Sequence, residues 1–100
     1  VYIIQSVDRK MPIEMIAKNK GLEMDELLTE MESIVNAGTR LNLDYNINSS
    51  LGADEQEELF DYFRTTENAD LEEALNEFDD VYSQEEIRLM RIKFISDLGN

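Results

Sequence analysis

Apolar residues recur at helical spacing through most of the chain. Over 24–37, Met24, Leu27, Leu28, Met31, Ile34 and Val35 fall on one stripe, which predicts an amphipathic helix closed by Gly38. Before it, VYIIQSVD (1–8) reads as the end of a helix whose start lies upstream. Pro12 suits the first turn of a second helix that runs to Lys20, because its missing N–H has no helical partner there anyway. Gly21 follows as a left-handed cap, with Lys18 and Lys20 near the negative pole. After Gly38 the period changes. Leu41, Leu43, Tyr45 and Ile47 alternate with polar residues, which predicts a half-buried strand over 39–47. Such a strand needs a neighbour, from residues 1–5 or from another chain. NSSLG (48–52) reads as a turn.

Three more helices are predicted. Asp54 with Glu57 forms a capping signal ahead of Leu59, Phe60 and Phe63. Asp70 with Glu73 repeats it ahead of Leu71, Ala74, Leu75 and Phe78. Ser83 with Glu86 opens EEIRLMRIKFISDL. That last helix carries Ile87, Met90, Phe94 and Leu98 on one stripe and Leu89, Ile92 and Ile95 beside it. It is therefore either the central packing helix or a helix that meets a partner. The fold class is mainly α: a helix-turn-helix, winged-helix-like unit with one short strand (1–48), then a three-helix acidic subdomain (49–100) sharing its core.

Charge narrows the function. The 100 residues carry a formal net charge of −14, distributed unevenly. Residues 1–22 hold Arg9, Lys10, Lys18 and Lys20 against Asp8 and Glu14, whereas residues 23–80 hold only Arg40 and Arg64 among their many acids. A field of this sign disfavours non-specific nucleic-acid binding by the domain as a whole. The chain begins at Val1 rather than Met, as expected of a segment of a longer protein. There is no Cys and no His, which removes thiolate chemistry, histidine bases and most zinc sites. The glycines at 21, 38, 52 and 99 fit no phosphate-binding loop. Adjacent acids such as Glu57/Glu58 do not face each other on a helix and read as a solvated surface. No apolar run is long enough to span a membrane. DYNINSSLGADE (44–55) mimics the ligand spacing of a calcium loop, but Ser49 stands where the sharp turn needs Gly, and no metal is expected.

IEMIAKNKGLEMDELL (13–28) carries the helix-turn-helix. Ala17 must be small where the helices cross, Gly21 turns the chain, and Ile16, Leu22 and Leu27 lock the pair. The outward face of the second helix is acidic: Glu23, Asp25, Glu26 and Glu32, with Thr29. Phosphates repel such a face. Any DNA contact is expected instead from Arg9, Lys10, Lys18, Lys20 and Arg40.

IAKNKGLEMDELLTEMESIVNAGTRLNLDY and the closing EEIRLMRIKFISDLGN together resemble the C-terminal region of bacterial RecQ-type ATP-dependent DNA helicases. The resemblance implies a cytoplasmic parent enzyme that unwinds DNA in repair and recombination, with ATP and Mg²⁺ bound in upstream lobes. No catalytic, cofactor or metal residue carries over to this chain. Its expected role is accessory: placing the motor on DNA through the basic head. The alternative is an acidic module that contacts the helicase core or another protein, or inhibits the motor, without touching DNA.

Overall fold

Residues 2–66, 71–78 and 81–98 are described by a computed structural model of the chain. They form seven helices: α1 (Tyr2–Asp8), α2 (Ile13–Lys20), α3 (Met24–Asn36), α4 (Asp44–Ser50), α5 (Ala53–Thr65), α6 (Leu71–Phe78) and α7 (Gln84–Leu98). No strand occurs among the described residues.

Local chemistry explains most boundaries. Pro12 lies one residue before α2, and its carbonyl accepts from Met15 and Ile16. Gly21 has φ 69°, and the chain closes on it with Gly21 N–H donating to Lys18 O (3.1 Å) and Leu22 N–H to Ala17 O (2.9 Å). This paired closure suits a residue without a Cβ. The same closure ends α3 at Gly38 (φ 97°) and α1 at Lys10 (φ 62°). At the head of α3, Glu26 accepts from the Glu23 N–H (2.9 Å). Ser83 and Glu86 open α7 reciprocally, at 2.8 and 3.1 Å. The expected Asp54/Glu57 cap is displaced: α5 begins two residues earlier, with Glu55 accepting from the Gly52 N–H (2.9 Å). The cap expected at Asp70 lies outside the described residues, although α6 starts directly after it.

The predicted strand at 39–47 is overturned. Leu41 and Leu43 are buried in an irregular approach, and 44–50 is helical. A strand needs a ladder partner. Here Leu41 finds its partner in a side chain: Ser96 Oγ accepts from the Leu41 N–H (2.9 Å) and donates to the Leu41 carbonyl (3.3 Å). Helical spacing then turns Asn46 inward and Tyr45 outward, the reverse of the strand reading. The winged part of the predicted fold class falls with the strand, since no wing hairpin exists among the described residues.

Helix α7 packs against α3, α4, α5 and α6. Ile87, Leu89, Met90, Ile92 and Phe94 are all buried, so its two apolar stripes serve one core and it is the central packing helix. Leu98, expected on the same stripe, is 69% exposed at the end of the helix. Edge-to-face ring pairs run Phe60–Phe94, Tyr62–Phe78 and Phe78–Tyr82, tying α5, α6 and the approach to α7.

Tyr82 donates its hydroxyl proton to the Glu58 carboxylate. That hydrogen bond, and burial behind it, pushes the phenol up to about 12 from 10.0. In the unfolded chain the phenol ionises near its ordinary value, so its stabilisation is complete below pH 10 and lost as pH rises towards 12. Stability measured by denaturant titration should drop by up to about 2 kcal/mol more across this window in the native protein than in Glu58→Gln. Equal losses in the two proteins would discount the bond.

Candidate nucleic-acid interface

Helices α2 and α3 make the helix-turn-helix as expected. Ala17 is buried at the crossing, Ile16 and Leu27 are fully buried, and Leu22 is half-buried against them. The acidic face of α3 looks outward as expected at Glu23, Asp25, Glu26 and Thr29, which are exposed, while Glu32 is half-buried against α7. Arg88 of α7, only 5% exposed, donates to Asp25 (2.6 Å), Thr29 (3.2 Å) and Glu32 (2.9 Å). Arg91 adds a longer pair to Glu32 at 3.6 Å. Burial works against the Arg88 charge, but the hydrogen bonds to Glu32 and Asp25 outweigh it, so the guanidinium is held above its ordinary value. Thus two of the four acids bind a helix of the same chain, and Glu26 caps its own helix. Groove reading by α3 is disfavoured by its exposed acids, and α7 covers only the Glu32 edge of that face.

The five basic candidates separate into two groups. Lys18 and Lys20 stand at the C-terminal end of α2, and Lys20 pairs with Glu30 at 3.6 Å. Arg9 and Lys10 lie between α1 and α2, both exposed. Arg40 lies with the second group rather than with α2. It pairs with Asp97 (3.4 Å) and lines a cavity of about 500 Å³ together with Asp8, Asn42, Asp44 and Lys93. A second cavity of about 340 Å³ shares Asp8, Asn42 and Asp44 with the first and adds Lys10, Tyr45 and Asn48. The two form one trough, with Lys10 at one end and Arg40 at the other. The far end is internally neutralised: Lys93 holds Asp44 (2.6 Å) and Asp97 (3.8 Å).

The first 47 residues match the family model described as RecQ-1-like, helix-turn-helix domain. This part of the chain is similar to that helix-turn-helix domain. The match covers α1 to α3 and most of α4, so in this domain the segment after α3 is the Ser96-clamped approach and a short helix. No curated protein matches the chain.

Sequence reading missed Lys93 and Tyr45 as members of this surface. Lys93 sat inside an apolar helix pattern, and only the fold of α7 across α4 brings it to Asp44. Tyr45 was assigned to a buried strand face; its exposure of 48% follows from α4 being helical. The calcium-like run 44–55 is not a loop, because its first seven residues are α4. No cluster of three or more metal-ligating carboxylates exists among the described residues. No helix among them is long and apolar enough to cross a membrane.

Proposed function

We propose that this chain is a non-catalytic accessory domain of a RecQ-like ATP-dependent DNA helicase of the bacterial cytoplasm, acting in repair or recombination. ATP and Mg²⁺ belong to the motor lobes of the parent enzyme. The observation that carries the reading is the RecQ-1-like match over residues 1–47. The domain helps place DNA for the motor through its basic head. In support, Arg9, Lys10 and Lys18 are exposed, and among the described residues none is in an ion pair. Lys20 and Arg40 contribute less, because each already faces a carboxylate.

Titration of a labelled forked oligonucleotide with the 100-residue chain tests the contact. Binding is expected near about 20 mM salt and should weaken steeply with added salt. Arg9→Ala and Lys18→Ala should each weaken it several-fold and lower the salt slope by about 1. Absence of binding at low salt, or unchanged affinity in both variants, would overturn direct DNA contact.

A second reading rests on a specific surface. Asp54, Glu57, Glu58 and Asp61 form one stripe along α5, and Glu72, Glu73 and Glu77 are exposed on α6. Such a face suits the basic channel of a DNA motor or a basic protein partner. This reading predicts that removing the domain from the parent enzyme raises its DNA affinity or ATPase rate; the placement reading predicts a fall.

A further inference from the structure

Three of the first helices end in the same left-handed closure. Two use glycine, at Gly21 and Gly38, and the third uses Lys10. Lys10 is the only non-glycine residue with positive φ among those described. A side chain in that conformation costs about 1 kcal/mol, and glycine would relieve it. Local folding gives no reason for lysine there. Lys10 lines the smaller cavity of the trough together with Tyr45.

Tyr45 is the second unexplained residue. Its neighbours Asn46 and Ile47 are buried, but Tyr45 stands outward with Asn48 three residues on. Asp8 and Asp44 line the same cavity, and Asp44 is already paired with Lys93. The cavity is therefore lined by the Tyr45 ring, the amides of Asn42 and Asn48, and the Lys10 cation. That combination suits a neutral planar ring with an anionic tail, and a cavity of about 340 Å³ admits one such ring.

We propose that the Tyr45 cavity receives one unpaired nucleobase, stacked on the phenol ring, with the adjoining phosphate held by Lys10. The proposal rests on the placement reading above and makes it selective. In a duplex both faces of a base are already stacked, so the site accepts single strands and ends.

Anisotropy titrations with a short oligothymidine and a long blunt-ended duplex, compared per nucleotide at about 20 mM salt, test it. The native chain should prefer the oligothymidine. Tyr45→Leu should weaken that binding about tenfold and abolish the preference, while Tyr45→Phe retains it. Lys10→Gly should weaken binding and reduce the salt slope by about 1, while raising the melting temperature. Tyr45 is half-exposed, so melting curves of both tyrosine variants should match the native one and separate binding from folding. Equal affinity for the two nucleic acids, or no effect of Tyr45→Leu, overturns the base site but leaves backbone contact standing. No binding to either overturns both readings.

Discussion

Arg88→Ala should be severely destabilising, by about 3 kcal/mol, with a fall in Tm of roughly 15 °C in thermal melts. The guanidinium is buried and bridges three side chains of α3, at Asp25, Thr29 and Glu32. Truncation leaves Glu32, whose side chain is 19% exposed, with only the 3.6 Å pair to Arg91. It also leaves a void between α3 and α7. A buried ion pair is not necessarily a net gain, and Arg88 Nε has no hydrogen-bond partner among the described residues, so part of the desolvation cost stays uncompensated. The cost of truncation is thus chiefly the stranded carboxylate. Arg88→Met combined with Glu32→Leu should therefore recover most of the stability that Arg88→Ala loses. A loss under about 1 kcal/mol in the single variant would show that the cluster behaves as an exposed ion pair.

This contact also changes the meaning of the acids on α3. From sequence, Glu23, Asp25, Glu26 and Glu32 form an undifferentiated repulsive face. In the fold they divide: Glu26 caps, Asp25 and Glu32 anchor α7, and all but Glu32 stay exposed. The helix-turn-helix here uses the side of its second helix as a packing surface. The motif supplies a scaffold, and the surfaces that offer exposed cations to an anionic ligand are the end of α2 and the trough beside α1.

What could be read in advance follows the range of the interactions. Gly21, Gly38 and the Ser83–Glu86 pair act within a few residues, so the ends of α2 and α3 and the start of α7 were legible. The double apolar stripe of α7 likewise marked its central place. The failure at 39–47 has the opposite cause. Leu41, Leu43 and Ile47 do alternate and are all buried, but the partner that fixes the backbone is Ser96, 55 residues away. Nothing local distinguishes a leucine bound to a neighbouring strand from one bound to a distant serine. The basic candidates were legible as charges, not as a site. Lys93, Asp44 and Asp97 neutralise the Arg40 end of the trough only because α7 crosses α4.

Asn46→Ala should cost about 2–3 kcal/mol, the second largest effect expected of a single substitution. Asn46 is 5% exposed; its Oδ1 accepts from the Ile13 N–H (3.0 Å) and its Nδ2 donates to the Met11 carbonyl (3.2 Å). Helix α2 has no side-chain cap of its own, because Pro12 occupies the cap position. Asn46 thus supplies from α4 what the local sequence withholds. Alanine leaves one donor and one acceptor without partners, and each carries a desolvation cost. Asn46→Asp separates the two bonds, keeping an acceptor for Ile13 but losing the donor to Met11. Its loss should fall between native and alanine, and the exchange rate of the Ile13 amide should rise far more in Asn46→Ala than in Asn46→Asp. If the two variants exposed that amide equally, the bond to Ile13 could not be what holds the start of α2. The same amide fixes the corner that presents Arg9 and Lys10. Loosening it should therefore weaken DNA binding even though Asn46 touches no ligand, and more so for single strands, whose base must meet Tyr45 on the same short helix.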